Sequence, residues 1–400
     1  MHLDRRTGGR PMTSPMERSV VLSEMDLYVT LDCNLQCDFC SVRANEGNIR
    51  TLPLSRTLKI LEEAAELGLE ELHFTGGEPT LNRDLELLIA KGKELGLHTR
   101  INTNGFHLSK ARLKQLKQAG LCGVVISLDG LAELHNRHRK HPFAFEQAHQ
   151  AIADSIAVGL WTRVSMTLFR ENCRDAGPVL VEMESLGVDG FSFFLGSPLG
   201  RARDQRAESV LTAEEWRVTR DEIREVVRGR IRRMKVAYEQ GYLYAGEDTV
   251  DGGSLRGRGG GCLHIGDSLD YLIMWPDGKL YQCCFLLDGG PSVGDASKQS
   301  LREALIEGLA NPARRALAEP ADRCAGCADL PCCELGCPGF SYLLLGDWHR
   351  TDPRCPHVRD EEPHWWPLCP IRKVNARSGY VAGSCDDVFA QQISPPAETS

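Results

Sequence analysis

The chain has 400 residues, of which 42% are hydrophobic and 26% charged, and its formal net charge is −8. This length allows two or three domains around a sizeable core, and the negative balance argues against a nucleic-acid or membrane-surface partner. No apolar run reaches the roughly 18 residues of a transmembrane helix, and residues 1–10 lack the apolar core of a secretory signal. We therefore expect a cytoplasmic protein that begins with a disordered leader over residues 1–24.

Strand-like and helix-like stretches alternate between residue 25 and about residue 200. The predicted strands are residues 25–31, 71–75, 98–102, 122–128, 161–168 and 190–194. The predicted helices in the gaps are residues 55–67, 84–95, 109–119, 143–158 and 175–186. Such alternation predicts an α/β fold with a parallel sheet, and right-handed crossovers curl six units into an open, partial (β/α)6 barrel. Functional groups are then expected where the strands end.

Cysteine is the unusual feature of the composition, with 16 residues. In a chain without an export signal a disulfide framework is not expected, because the cytosol keeps thiols reduced, so metal or redox use is the better interpretation. Three cysteines lie near the start and eleven lie between Cys262 and Cys385. Cys122 and Cys173 stand alone and are interpreted as small buried hydrophobes.

The first predicted strand runs directly into Cys33, Cys37 and Cys40, spaced C-x3-C-x2-C. Three thiolates this close in sequence can bind three corners of a cubic [4Fe–4S] cluster, in which each iron wants one further ligand. The fourth iron then stays open to a ligand that is not protein. A zinc knuckle and buried free thiols are the alternatives, although zinc sites usually use paired C-x2-C groups.

This spacing, with Phe39 just before the last cysteine, resembles the radical S-adenosylmethionine (SAM) superfamily. In that family the open iron chelates the amino and carboxylate groups of SAM. An electron from the cluster then cleaves SAM to a 5′-deoxyadenosyl radical, which abstracts hydrogen from a substrate. The resemblance implies a TIM-like partial barrel, a flavodoxin- or ferredoxin-type reductant, and an adenine stacked near Phe39, with core packing as the competing interpretation of that ring.

The turn after the second predicted strand contains Gly76, Gly77 and Glu78. Two glycines let the backbone approach a ligand closely, and a carboxylate adds an acceptor for an ammonium group. The segment resembles the family's GGE-type loop, which holds the amino group of SAM. An ordinary strand-to-helix turn is the alternative, and the position of the segment about 35 residues after the cysteine triplet favours the functional interpretation.

The next two strand ends carry polar groups on the same predicted rim. Asn104 follows the third strand, and Ser127 and Asp129 end the fourth. Family members carry similar segments near the SAM ribose and carboxylate. Arg137 best matches the position of an arginine that often pairs with that carboxylate through a bidentate contact. A solvated basic run ahead of a helix is the alternative.

The sixth strand leads into Arg201, in a Pro-x-Gly-Arg segment that is common in relatives. Its default interpretation is a surface arginine, and contact with an acidic group of the substrate is the alternative. Residues 208–240 then predict a long charged helix with Thr212 as its N-cap, followed by a glycine-rich connector over residues 245–261. The predicted domains are the barrel over residues 25–204, the bridge over 205–261, a cysteine-rich domain over 262–360 and a tail over 361–400.

The later cysteines are spaced like the SPASM extension of radical SAM enzymes. Hydrophobic residues that flank Asp277 and Gly278 predict a hairpin, which would bring Cys262 and Cys283 together. In relatives this domain holds two auxiliary [4Fe–4S] clusters, and structural zinc sites are the alternative. The resemblance assigns one ligand set of Cys262, Cys283 and Cys337, with its fourth ligand open, and a second set of Cys324, Cys327, Cys333 and Cys355.

Cys284 is the candidate catalytic residue, because a thiol beside a cluster ligand could donate the hydrogen atom that epimerising family members require. An inert thiol is the alternative. The resemblance implies an enzyme that modifies a peptide or protein by crosslinking, epimerisation or oxidation. With only residues 1–24 before the first strand, we expect either a separate leader-recognition protein or a substrate without a leader. The alternatives are a small-molecule oxidoreductase or dehydrogenase in cofactor or natural-product biosynthesis, and a non-catalytic iron–sulfur electron carrier.

Overall fold

The computed structural model describes residues 21–47, 50–205, 207–211, 213–239, 271–287 and 290–310, together with residues 341 and 347. The strands in chain order are β1 Glu24–Thr30, β2 Glu71–Gly76, β3 His98–Thr103, β4 Gly123–Ser127, β5 Trp161–Leu168, β6 Gly190–Leu195, β7 Lys235–Glu239, β8 Tyr271–Met274, β9 Lys279–Tyr281 and β10 Gly294–Asp295. They form one sheet in the order β10-β9-β8-β1-β2-β3-β4-β5-β6-β7. All neighbours from β8 and β1 through β7 are parallel, whereas β8, β9 and β10 pair antiparallel.

Helices fill the gaps between the parallel strands, and one further helix follows β10. They are α1 Leu54–Glu66, α2 Leu85–Glu94, α3 Lys110–Ala119, α4 Ala132–Arg139, α5 Ala144–Ala157, α6 Ala176–Leu186, α7 Arg201–Gln205, α8 Ala213–Arg230 and, after β10, α9 Leu301–Ala310. The helix α1 shows the general pattern, because Thr57, Ile60, Leu61 and Ala64 recur at helical spacing and are the residues that it buries. None of the helices in the described ranges is both long and apolar enough to cross a membrane.

The two faces of the sheet differ in chemistry. Met25 and Leu27 of β1 are buried in the core beneath the helices, whereas Glu24 and Asp26, which alternate with them, point to the other, inner face. The strand β5 alternates in the same way along its whole length. The apolar helix-covered face holds the fold together, and the inner face is left for polar groups.

The α/β fold with a mostly parallel sheet is confirmed, and the six predicted strands and the five predicted helices between them are each found within two residues of their expected bounds. The prediction of one helix over residues 208–240 is wrong in its last third. There α8 ends at Arg230 and β7 follows, parallel to β6. The carboxylate of Glu184 accepts the three consecutive backbone N–H groups of Arg232, Arg233 and Met234, each at 3.0 Å, which fixes a turn in place of a further helical turn.

The predicted hairpin around Asp277 and Gly278 is confirmed as β8 and β9, with Met274 opposite Leu280. What the sequence did not predict is that β8 pairs parallel with β1 and so extends the same sheet. The following segment also docks on α1, where the Arg56 guanidinium donates to the carbonyl oxygen of Ala296 at 2.8 Å. Residues 271–287 and 290–310 are therefore joined to the sheet by strand pairing and by helix contacts.

Several predictions fall outside the described residues. These are the leader over residues 1–20, the N-cap Thr212, the connector over residues 245–261, the tail, and all the predicted auxiliary-cluster ligands except Cys283. The domain division and the SPASM domain stay predictions.

Candidate active site

The cysteine loop, residues 32–46, follows β1 and is closed by Asn45. The side-chain amide of Asn45 donates to the carbonyl oxygen of Cys33 and accepts its backbone N–H, both at 2.8 Å. Asn45 itself has a left-handed φ of 67°, a conformation that asparagine tolerates better than most residues. The loop is thus pinned at both ends, with Cys37 buried and with Cys33 and Cys40 half-buried.

Each of the three cysteine sulfurs has an N–H donor. The backbone N–H of Leu35 donates to Cys33 Sγ at 3.4 Å, and that of Ala44 donates to Cys40 Sγ at 3.3 Å. The Arg139 guanidinium donates to Cys37 Sγ at 3.8 Å. Such donors are the outer-shell groups that stabilise negatively charged sulfur in a metal centre.

Two of the three thiols, those of Cys33 and Cys37, have raised pKa values. Burial raises the pKa of Cys37 to about 11, in part opposed by Arg139, and burial also raises the pKa of Cys33. The neighbouring cysteine sulfurs raise both pKa values further. Since ligand sulfurs must be deprotonated, binding here requires a strongly positive centre that displaces the protons.

The spread of the sulfurs bears on which metal centre they suit. In the described part of the chain, the only trio of potential ligands whose donor atoms all lie within 4.8 Å of one another is Glu24, Asp26 and His73. At least one pair of the three sulfurs is thus more than 4.8 Å apart, whereas Zn–S bonds of about 2.3 Å would place two sulfurs on one zinc ion about 3.8 Å apart.

The glycine loop after β2, residues 76–78, packs directly on the start of the cysteine loop. A Cβ atom on Gly76 would lie 2.1 Å from the carbonyl oxygen of Thr30, and one on Gly77 would lie 2.3 Å from that of Asp32. The N–H groups of Gly77 and Glu78 donate to those same two carbonyl oxygens at 2.8 Å. The two glycines are needed because the backbones touch, which couples this loop to the cysteines.

We expect Gly77→Ala to destabilise the protein by about 1–3 kcal/mol, because the added methyl group overpacks the contact with the cysteine loop. Gly229→Ala is the matched control, since nothing lies within 4 Å of a Cβ atom at that helical position. That control should be neutral or stabilising. Urea unfolding of the two variants checks this, and equal stabilities would contradict the close contact at Gly77.

Glu78 is fully buried at the junction of three strand ends. One carboxylate oxygen accepts the backbone N–H and the hydroxyl of Thr80 and the hydroxyl of Thr103, and the other accepts the N–H of Asn104 at 2.9 Å. Glu78 therefore shapes the glycine loop and ties it to the end of β3. Its carboxylate is engaged within the protein, so the structure gives it a supporting position and not an exposed one.

Asn104 reaches from the end of β3 to the cysteine loop. Its side-chain amide donates to Asn34 Oδ1 at 2.8 Å and approaches Cys33 Sγ at 3.9 Å. Ser127 lies half-buried at the end of β4 on the same rim. The predicted convergence of strand ends on the cysteines is therefore seen at Asn104, and Ser127 stays a predicted SAM contact.

Asp129 and Arg139 form a buried ion pair at the next strand end. Asp129 Oδ2 accepts Arg139 Nε at 2.7 Å and a second guanidinium N–H, and Asp129 Oδ1 accepts the N–H of Thr167 at 2.9 Å. The guanidinium also lies over the ring of Phe39, 5.2 Å from its centroid. One cation thus contacts a carboxylate, a cysteine sulfur and the aromatic ring that precedes Cys40.

The arginine beside the cysteines is Arg139, whereas the predicted Arg137 lies exposed on α4. The sequence contained the signal, because α4 buries His135, His138 and Arg139 at the i, i+3 and i+4 spacing of one helix face. The sequence interpretation places this run ahead of a helix, where helical periodicity does not apply. His135 anchors this face by accepting the N–H of Asp129 at 2.9 Å, as a neutral ring whose pKa burial lowers to about 3.

Phe39 is half-buried, with its ring centroid 5.5 Å from that of Phe169. It therefore has a packing role, and part of the ring is left accessible. Tyr28 of β1 has a pKa that is raised by burial and then by Asp26, Cys284 and Cys40. Cys284 begins a short 3-10 helix after the β8–β9 hairpin. Its sulfur and that of the predicted cluster ligand Cys40 both act electrostatically on Tyr28.

Residues 27–177 match the sequence model of the radical SAM superfamily. They are a radical SAM domain. This range holds the cysteine loop, the glycine loop, Asp129 and Arg139, which are the groups that the fold brings together. It ends before β7 and before the β8–β9 hairpin.

Named relatives align with the radical SAM domain and, in part, beyond it. The AdoMet-dependent heme synthase of Oleidesulfovibrio alaskensis is 33% identical over 190 residues, which are 47% of this chain and only 49% of that protein. The PqqA peptide cyclase of Bradyrhizobium diazoefficiens is 28% identical over 349 residues, which cover 82% of this chain and 84% of that protein. The crystal structure of Streptococcus suis SuiB bound to its precursor peptide SuiA superposes with a TM-score of 0.66 at 19% identity, covering 80% of this chain and 72% of that one. That likeness shows a shared fold.

The trio noted above belongs to an ion-pair network on the inner face of the sheet, towards the amino ends of the strands. His73 Nδ1 lies 3.2 Å from Asp26 Oδ1 and 3.3 Å from Glu24 Oε1, and Glu71 pairs with Arg100 at 2.9 Å. Burial alone would lower the pKa of His73, but hydrogen bonds to Asp26 and Glu71 raise it to about 9. The ring is therefore a cation at neutral pH.

We expect this network to give a pH-dependent stability. Because the folded pKa of His73 lies above its ordinary value of about 6.5, the stabilisation is complete below that pH and is lost as the pH rises through about 9. The difference in unfolding free energy between the wild type and His73→Gln should therefore shrink between pH about 6 and about 10. Urea unfolding across that range checks this, and a constant difference would contradict the ion pair.

Proposed function

We propose that Cys33, Cys37 and Cys40 bind a [4Fe–4S] cluster and that the protein uses it to cleave SAM reductively. The observation that carries the proposal is the cysteine loop itself, in which each sulfur has an N–H donor and Gly76 and Gly77 press on the loop. When bound, the cluster supplies the electron that splits SAM into methionine and a 5′-deoxyadenosyl radical.

The residues around the cysteines would hold SAM. The Arg139 guanidinium suits the SAM carboxylate, and its partner Asp129 keeps it at the rim beside Cys37. Gly76 and Gly77 would offer backbone carbonyl groups to the ammonium, while Glu78 and Asn104 hold that backbone in place. The accessible part of Phe39 would face the adenine, and Ser127 the ribose. These groups bind and orient SAM, and the radical chemistry belongs to the cofactor.

We further propose that the substrate is a peptide. The supporting observation is the alignment with a protein named PqqA peptide cyclase over most of both chains, including the region beyond the radical SAM domain. Cys284 would lie on the β1 side of the site as a hydrogen-atom donor or as an inert thiol, and Cys284→Ala with unchanged product would remove it from catalysis. A flavodoxin- or ferredoxin-type reductant and a separate leader-recognition protein complete the proposed partners.

A small-molecule substrate is the second candidate, supported by the alignment with a heme synthase. That alignment is confined to about half of each chain, but the Fe-coproporphyrin III synthase of Methanosarcina barkeri is 26% identical over 371 residues, which cover 83% of this chain and 87% of that protein. The extent of the alignment therefore does not decide between the two substrates. Incubation of the reduced protein with SAM and either a short peptide encoded beside its gene or iron porphyrins would separate the two. A mass change in the peptide supports the first proposal, and a change only in the porphyrin supports the second.

Two auxiliary [4Fe–4S] clusters remain part of the proposal, with the ligand sets given above. Cys283, the one ligand among the described residues, is buried beside Trp275 and Tyr281. Anaerobic reconstitution should then yield about twelve irons per chain, since each cube holds four. About four irons, or zinc, would remove the auxiliary clusters. Iron without any 5′-deoxyadenosine from SAM would instead indicate an electron carrier.

A further inference from the structure

The segment after β6, residues 199–201, is in direct backbone contact with the last cysteine of the cysteine loop. Gly200 has a left-handed φ of 58°, and a Cβ atom there would lie 2.3 Å from the carbonyl oxygen of Cys40. The N–H of Arg201 donates to that same oxygen at 2.9 Å. The segment after β6 therefore contacts the cysteine loop at Cys40, whereas the glycine loop contacts it at Asp32.

The side chain of Arg201 continues this contact and is only 6% exposed. Its guanidinium donates to the carbonyl oxygen of Ala44 at 2.8 Å, and its Nε lies 3.3 Å from Glu46 Oε1. Ala44 is the residue whose N–H donates to Cys40 Sγ. Arg201 thus contacts the carbonyl oxygen of Ala44, while the N–H of Ala44 contacts the Cys40 sulfur.

Ala44 needs such support because its neighbours are in an unfavourable conformation. Arg43 and Asn45 both have a positive φ, 49° and 67°, which costs energy in residues other than glycine. Arg43 is tied in turn to Asp204 of α7 at 2.7 Å. The turn over residues 43–45 is therefore held in place from α7, by one buried and one half-exposed arginine contact.

We propose that Arg201 is a positioning residue that fixes the Ala44 N–H on the Cys40 sulfur and so sets the reduction potential of the cluster. This inference rests on the proposed binding of a cluster by the three cysteines. Hydrogen bonds to ligand sulfur stabilise the more negative, reduced state, so their loss makes the cluster harder to reduce. The burial of Arg201 against the loop replaces the predicted surface position and the alternative contact with the substrate.

The test compares Arg201→Met and Arg201→Lys with the wild type in the reconstituted full chain. A redox titration follows the EPR signal that changes when SAM is added, which selects this cluster from any auxiliary ones. We expect a more negative midpoint potential in Arg201→Met and substantial recovery in Arg201→Lys, whose ammonium group can reach the Ala44 carbonyl. Arg203→Met, which removes a like charge from the exposed side of the same short helix, should leave the midpoint unchanged.

An unchanged midpoint in Arg201→Met, or an equal shift in Arg203→Met, would overturn the inference. If Arg201→Met fails to retain iron, Ala44→Pro replaces it, because proline removes the same N–H donor and leaves the arginine in place. A more negative midpoint there supports the inference, and an unchanged one rejects it. A wild type without any SAM-responsive signal would refute the proposed function instead.

Discussion

Replacement of Cys33, Cys37 and Cys40 by alanine is expected to abolish the formation of 5′-deoxyadenosine from SAM and to lower the iron content by about four atoms per chain. The protein should stay folded, because the loop is also held by Asn45 and by the glycine loop through backbone and amide contacts. Anaerobic reconstitution, iron analysis and quantification of 5′-deoxyadenosine measure these effects. The auxiliary iron should persist if the later cysteines bind clusters of their own.

Cys122→Ala provides the matched control. Cys122 was interpreted from the sequence as a buried hydrophobe, and that interpretation is wrong, since its side chain is exposed just before β4. Removal of this thiol should change neither the iron content nor SAM cleavage. If Cys122→Ala and the triple variant lost equal amounts of iron, the number of thiols and not the cysteine loop would determine the iron content.

Asp129→Ala should destabilise the protein by about 3–5 kcal/mol, because it leaves the Arg139 cation buried without its carboxylate. It also leaves the N–H of Thr167 without the carboxylate oxygen of Asp129 as its acceptor, which further lowers the free energy of unfolding. The buried cation beside Cys37 is further expected to lose its fixed orientation, so SAM cleavage should fall together with stability. Urea unfolding and the 5′-deoxyadenosine assay measure the two effects.

The double variant Asp129→Ala/Arg139→Met separates the ion pair from the rest of the site. It removes the uncompensated charge, so it should recover part of the stability lost in Asp129→Ala while SAM cleavage stays low. Arg137→Met is the control on the same helix and should stay within about 0.5 kcal/mol of the wild type, with SAM cleavage intact. Strong loss of SAM cleavage in Arg137→Met would instead support Arg137, the residue predicted from the sequence, as the partner of the SAM carboxylate.

The sequence predicted the parts of the site in which local pattern and chemistry agree. The cysteine spacing is the one that the proposed cluster needs, and Gly76 and Gly77 are required by a backbone contact, so both features could be predicted from the sequence. The strands β1 to β6 were also predictable, because the alternation of strand and helix repeats through the first half of the chain.

Elements that depend on distant partners were not predictable in this way. The strand β7 forms because β6 offers an open edge and Glu184 caps the turn before it, and neither fact is visible in residues 208–240. The supporting position of Glu78 depends on Thr103 and Asn104 from the next strand. The choice between Arg137 and Arg139 needed the face of α4, which is a short helix whose existence was not predicted.

The pairing of β8 with β1 has a consequence for biosynthesis. About 240 residues separate the two strands, and at roughly 5–20 residues per second a ribosome needs tens of seconds to make them. During that interval the strand that leads into the cysteine loop presents a bare edge, the kind of surface that recruits other chains. The three thiols of the proposed cluster site are therefore synthesised well before the strand that completes their side of the sheet.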